Sequence, residues 1–250
     1  RPPSGPRARA GTRSKRRRKV IQLAAATPNP LWFASRGTAA VTLLLLTCSV
    51  VLGIGTSMRW QSGFWPRYFN PELHRNVSLM AVCFLAVHIA TAVLDPFAKL
   101  GLSDAVLPFV SAYRPFWLGL GVVAAELTLL LVVTSALQPL LGYRTWRGIH
   151  WASYLAWPLA VLHGLGTGSD ARMAWLLLLT AACVVAVWLA LVGWRLSAPG
   201  GEHRRLRLGI AVLSGAAVVA LAAWTVAGPL QPGWARVAGT PPSLLKSPTP

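Results

Sequence analysis

Apolar residues along this chain gather into six long blocks, separated by short segments rich in Arg, Pro, Gly and Asn. The blocks run over 38–57, 76–95, 116–137, 150–167, 171–192 and 208–227. Each is close to the roughly 20 residues an α-helix needs to cross the hydrocarbon core of a bilayer. The pattern predicts an all-α, polytopic membrane protein, a bundle of six transmembrane helices. The first, third, fifth and sixth blocks are nearly unbroken Leu, Val and Ala and are free to face lipid. The fourth is the least apolar and carries His150, Ser153, Tyr154, Pro158 and His163. In lipid such a helix turns its polar face toward protein or a cofactor.

The connections carry turn residues: Trp65-Pro66, Asn70-Pro71, Asp95-Pro96, Gln138-Pro139 and the stretch from Gly164 to Gly168. Residues 1–36 are rich in Arg, Pro and Ala and contain the run Lys15-Arg16-Arg17-Arg18-Lys19. With no apolar core behind it, this stretch predicts a disordered basic tail, neither a packed domain nor a signal peptide. A start of translation near Val20 would leave the basic run outside the protein, a question that N-terminal peptides of the native chain decide. Residues 37–192 hold the first five blocks, and 193–227 a loop and the sixth. Residues 228–250 are Pro-, Gly- and Ser-rich and predict an extended tail.

Composition points the same way. Apolar residues make up 54% and charged residues 12% of the chain, against about a quarter charged in soluble domains. Twelve Trp residues suit the lipid–water interface. A net charge of +18 would suggest nucleic acid in a soluble protein. Here the basic residues sit in the tail and between apolar blocks, where they set topology and meet anionic lipid. Nucleic-acid binding is therefore excluded as the working assumption. Cys48, Cys83 and Cys183 each lie inside an apolar block without CxxC spacing, which predicts neither disulfides nor a thiolate metal site.

Loop charge gives an orientation. The loops after the first, third and fifth blocks hold Arg59, Arg67, Arg75, Arg144, Arg147, Arg195, Arg204, Arg205 and Arg207, whereas those after the second and fourth hold only Lys99, Arg114 and Arg172. Short basic loops stay in the cytoplasm, which puts both termini outside. The tail argues the reverse, with ten Lys and Arg between Arg1 and Arg36. The loops carry the greater weight.

Four of the five histidines sit in or at the ends of the second and fourth blocks: His74, His88, His150 and His163. One crossing separates those blocks, so they run parallel, with His74 and His150 at one depth and His88 and His163 at the other. Fourteen residues at about 1.5 Å each put His74 and His88 about 21 Å apart on one helix face. Thirteen residues set His150 and His163 about 140° apart on an ideal helix. Pro158 between them should kink or rewind it, and whether this restores alignment does not follow from the spacing. Low-spin b haem takes two axial imidazoles, one from each side of the porphyrin. Matched pairs on two parallel helices suit it better than isolated cross-helix hydrogen bonds do.

Other polar residues have plainer readings. Arg59, Arg67, Arg75, Arg144 and Arg147 lie at the depth of haem propionates, but each serves orientation and lipid contact first. Arg36, at the entrance of the first block, either snorkels to the interface or faces the nearer haem. His203 reads as a solvated loop residue. Glu126, in the middle of the third block, either handles protons or hydrogen-bonds across helices while protonated. The second reading is favoured because no relay of neighbouring acids accompanies it. Zinc is disfavoured, since neither HExxH nor an acidic cluster accompanies the histidines.

Several segments resemble the ferric reductase-like transmembrane domain. That domain is shared by ferric reductases, NADPH oxidases and the haem subunit of the periplasmic methionine sulfoxide reductase system. They are Ser35-Arg36-Gly37-Thr38-Ala39, then His74-Arg75-Asn76 through His88 to Asp95-Pro96-Phe97. Leu141-Gly142-Tyr143-Arg144 with Trp146, and His150 through His163-Gly164, complete the set. The resemblance covers about residues 31–192, and the wording of the segments is similar to that of small actinobacterial members. It implies two b-type haems, His74 paired with His150 at the cytoplasmic one and His88 with His163 at the outer one. Electrons then pass outward, in an integral protein of the bacterial plasma membrane.

Two departures qualify what the resemblance implies. Family oxidases and reductases carry a flavin and nicotinamide domain after the spans, whereas no GxGxxG or P-loop occurs here. The expected donor is then a separate flavoprotein reductase or quinol. The oxidases also have a further histidine one turn after the outer ligand; here that position is Ala92, which argues against dedicated superoxide production. The reading is a dihaem oxidoreductase component whose acceptor is a ferric chelate, an extracytoplasmic flavoprotein or a redox enzyme. The alternatives are a quinol-oxidising haem subunit feeding one periplasmic enzyme, and a haem-binding transporter or assembly factor without redox turnover.

Overall fold

A computed structural model describes residues 30–57, 69–96, 99–168, 172–197 and 204–245. Residues 1–29 of the basic tail, Arg59, Arg67, the Trp65-Pro66 turn and His203 lie outside the described residues. The described residues form eleven helices and no strand. In chain order they are α1 (Pro30–Ser57), α2 (Phe69–Leu94), α3 (Leu102–Val106), α4 (Pro115–Ala136), α5 (Gln138–Leu141) and α6 (Tyr143–His150). Then come α7 (Ser153–Thr167), α8 (Ala174–Ser197), α9 (Arg204–Ala227), α10 (Trp234–Val237) and α11 (Pro242–Leu245).

Five of these, α1, α2, α4, α8 and α9, are long and apolar enough to cross a bilayer. This is an all-α integral membrane protein. The fourth predicted span differs from a single helix, for α6 and α7 are joined by a turn at Trp151 and Ala152. Prolines mark several starts: Pro30 opens α1, Pro71 lies in the first turn of α2, and Pro115 opens α4. There the missing N–H costs no helical hydrogen bond and the fixed φ suits the helix. Residues 30–36, expected in the tail, are therefore helical, and α2 begins early enough to take in His74.

α1 packs along α2 and also touches α8 and α7, while α4 packs along α7 and α9 along α8. The first and third blocks, expected to be free to face lipid, are thus central to the packing. Five buried threonines of α1, α4 and α8 are satisfied within their own helices. The hydroxyls of Thr42, Thr47, Thr128, Thr134 and Thr180 each donate to the carbonyl four residues back, at 2.7–2.8 Å. Each is buried without needing a neighbour's acceptor. One hydroxyl also serves between helices: Trp157 Nε1 donates to Thr47 Oγ1 at 3.0 Å and ties α7 to α1.

The segment after α9 corrects the expected extended tail. Residues 228–245 turn back through α10 and α11 onto one end of the bundle. Pro229 is fully buried and Ala238 is 5% exposed. Trp234 meets Trp117 and Trp224 at ring-centroid distances of 5.4 and 5.9 Å, and Trp117 and Trp224 lie 5.1 Å apart.

Candidate functional site

Helices α2 and α7 stand apart, bridged by α1 and α4, and His74 and His88 on α2 face His150 at the end of α6 and His163 on α7 across the gap. The ring centroids of His74 and His150 are 6.1 Å apart with planes at 74°. Those of His88 and His163 are 6.4 Å apart with planes at 76°.

How His150 and His163 come to face one way is visible in the backbone. Ala152, Tyr154 and Leu155 donate to the carbonyls of Ile149, Trp151 and Ala152, three residues back, at 2.9–3.1 Å. This is 3₁₀ winding. Each residue so wound advances its side chain about 20° further than in an α-helix, so about five of them recover about 100° of the roughly 140° mismatch. The α-helix proper resumes beyond this turn and runs through Pro158. Pro158 has no N–H to give to the carbonyl of Tyr154 four residues back, so the helical ladder is already incomplete where the tight winding ends.

Three of the four imidazoles are fixed by their Nδ1. His74 Nδ1–H donates to the Ser49 carbonyl at 2.9 Å, His88 Nδ1–H to the Ser35 carbonyl at 2.8 Å, and His163 Nδ1–H to the Trp117 carbonyl at 2.9 Å. A carbonyl accepts only, so each ring is the tautomer with a bare Nε2. Metal-binding imidazoles are oriented in this way. Around His74, the Ser49 and Ser78 hydroxyls lie 2.7 Å apart, and Ser78 donates to the His74 carbonyl. Thr167 donates to the His163 carbonyl. His150 Nδ1 is buried without a hydrogen-bond partner among the described residues. Its ring lies 5.0 Å from Trp146, the planes 30° apart.

A cavity of about 290 Å³ opens at the His88 and His163 end, lined by both histidines, Arg36, Ala92, Gly121 and Trp175 among others. Arg36 lies with Cζ 3.6 Å over the Trp32 ring. Gly121 makes room for the His163 ring: a Cβ there would fall within 3.0 Å of three atoms of its imidazole. Gly166 does the same for Trp117, whose carbonyl holds His163.

Arg114 secures this end. It is 4% exposed, and its Nη1 donates to the carbonyls of Gly166 and Thr167, both at 3.0 Å, its Nε to Thr240 Oγ1 at 2.9 Å. Burial, with Arg36 nearby, lowers its pKa from the usual arginine value. Trp234 Nε1 donates to the same Gly166 carbonyl at 3.1 Å.

Sequence reasoning missed Ser35, Ser49, Trp117, Gly121 and Arg114. Ser35 figured only in a segment of family resemblance and Arg114 only as a loop charge, while Gly121 stands out as one of two glycines in Leu118-Gly119-Leu120-Gly121 within an otherwise bulky block. Glu126 stands apart from the histidines, exposed on α4 and without a hydrogen bond or ion pair among the described residues. The expected bond across helices is not made among the described residues. Arg75, Arg144 and Arg147 are exposed at the His74 and His150 end. Among the described residues no group of three or more His, Cys, Asp or Glu side chains converges as a metal site.

The family model described as "Ferric reductase like transmembrane component" matches residues 36–161, half of the chain. The chain belongs to this family. The ferric reductase-like match takes in Arg36, His74, His88 and His150 and stops two residues short of His163. Membership carries the general reading of haem-based electron transfer across a membrane. No curated protein and no solved structure matches the chain.

Proposed function

We propose that this chain holds two b-type haems, one between His74 and His150 and one between His88 and His163, and passes electrons through them from a cytoplasmic-side donor to an extracytoplasmic acceptor. The observation that carries this reading is the pairing of the rings, with Nδ1 engaged by a backbone carbonyl in three of the four. With about 2 Å for an iron–nitrogen bond and about 1.1 Å from nitrogen to ring centre, two imidazoles on one iron stand about 6.2 Å apart. The observed separations are 6.1 and 6.4 Å. Bound haem supplies one-electron chemistry at a potential set by its ligands and burial.

The chain's own groups do the rest. The Ser49, Ser35 and Trp117 carbonyls hold the rings in one tautomer and make them stronger ligands. Arg36 offers a cation at the cavity for an outer propionate; Arg75, Arg144 and Arg147 do so at the other end. The apolar cavity wall excludes water. The loop arginines support a cytoplasmic position for the His74 and His150 end. A separate flavoprotein reductase or quinol delivers electrons there. A ferric chelate, an extracytoplasmic flavoprotein or a redox enzyme accepts them at the His88 and His163 end.

The test is a reduced-minus-oxidised spectrum of protein purified from haem-supplied cells, with haem counted per chain. Vesicles loaded with a reductant are then given an external ferric chelate. Two bis-histidine b haems and outward reduction are expected. Folded protein without haem refutes the reading, and haem without turnover leaves a binding or assembly role.

A further inference from the structure

Glu126 is the twelfth of the 22 residues of α4, about 17 Å along the helix from its start. It is exposed and heads a stripe with Leu129, Leu130, Val133 and Leu137, which are 42–56% exposed. Spacings of three, four, seven and eleven put all five on one face. The body of α4 packs on α7, whereas this face has no covering helix among the described residues. A carboxyl group turned to hydrocarbon is costly, and intramembrane acids pair or face protein.

We propose that this stripe is the contact between two copies of the chain, related by a twofold axis along the membrane normal, with the two Glu126 carboxyls hydrogen-bonded to each other. Copies inserted with one topology can be related in a closed pair only by such an axis, which brings each residue opposite its own counterpart at the same depth. A carboxylic acid carries one donor and acceptor oxygens, so two of them are self-complementary. The cations of a second copy offer no substitute. Arg75, Arg144, Arg147 and Arg207 lie toward one end of the spans, and Arg36, Arg114 and Arg172 toward the other. An unrelated subunit would need its own donor at mid-membrane. Polar side chains at this depth drive helix association through such hydrogen bonds. The contact leaves the gap between α2 and α7 open.

The full chain is reconstituted in vesicles at a range of protein-to-lipid ratios, and association is followed by energy transfer between labelled copies. Wild type and Glu126→Gln, which keeps a donor and an acceptor, should form pairs. Glu126→Leu should weaken pairing about tenfold, the effect of one such hydrogen bond, with an unchanged haem content showing that it folds. In a variant with Cys48, Cys83 and Cys183 replaced, Glu126→Cys should oxidise to a covalent pair in native membranes. Single copies at all ratios, equal pairing by Glu126→Leu, or a cross-link to a different protein each overturn the proposal.

Discussion

Gly121→Ala adds one methyl group to α4, and on the proposed dihaem reading it should disable one haem site and spare the other. The new Cβ would come within 3.0 Å of three ring atoms of His163, which sits against the backbone of α4 through its 2.9 Å bond to the Trp117 carbonyl. The ring must swing away from its place opposite the His88 ring. Overpacking of this kind costs about 1–3 kcal/mol, and the lost hydrogen bond about 1 kcal/mol. The sum, about 2–4 kcal/mol, corresponds to outer-haem binding weakened about 30-fold to about 1,000-fold. Gly53→Ala is the matched control. Its Cβ would lie 3.4 Å from the nearest atom of His74, an ordinary contact, so both haems should stay. Haem is counted per chain after gel filtration and the potentials are titrated. Gly121→Ala should retain one haem and one reduction wave, Gly53→Ala two of each. Two wild-type haems in Gly121→Ala, or loss of both from folded protein, would refute the placement of His163.

Other substitutions and a spectrum probe the same geometry. His88→Ala or His163→Ala should abolish one reduction wave, and His74→Ala or His150→Ala the other, with added imidazole restoring it. Two members of one proposed pair that remove different waves would break the assignment. Ring planes at 74° and 76° should give the oxidised protein strongly anisotropic low-field electron paramagnetic resonance signals; rhombic spectra typical of coplanar imidazoles would contradict them. Arg114→Ala leaves the Gly166 and Thr167 carbonyls without their charged donor, a loss of about 1.5–3 kcal/mol for each such bond. Melting followed by haem absorbance should come at lower temperature, with Arg114→Lys recovering only part because one ammonium cannot reproduce the guanidinium fork. An unchanged melting curve would show that the C-terminal segment does not brace this end.

Membrane class, the helical spans and the two histidine levels were legible because each rests on local periodicity. Fourteen residues between His74 and His88 is close to a whole number of α-helical turns, so α2 could be read without coordinates. Thirteen between His150 and His163 is not. The remedy lies in hydrogen bonds around Trp151 and Ala152 that shift from four residues back to three, a choice no residue type announces. The carbonyls that hold the imidazoles were illegible for a stronger reason. Every residue has one, and only packing of α1 on α2 and of α4 on α7 selects those of Ser49, Ser35 and Trp117. The C-terminal segment misled through composition, since its Pro and Gly residues form the turns that fold it back. Glu126 was read as bonding across helices, but periodicity could not say that its face turns away from α7.

The two sites are held by different means. At the His88 and His163 end both rings donate to backbone carbonyls of neighbouring helices, and Arg114 with Trp234 closes the helix end behind them. Backbone acceptors in packed helices move little, so this site is preorganised before a cofactor arrives. At the other end, among the described residues, only His74 has such a bond. His150 is oriented by packing against Trp146, whose own indole N–H is fixed to Ser135 Oγ at 3.2 Å. Packing constrains a ring's plane better than its rotation about the plane's normal, whereas a hydrogen bond to Nδ1 fixes both plane and tautomer. If the proposed haem is held there, His150 would be the imidazole of the four that backbone hydrogen bonds orient least among the described residues.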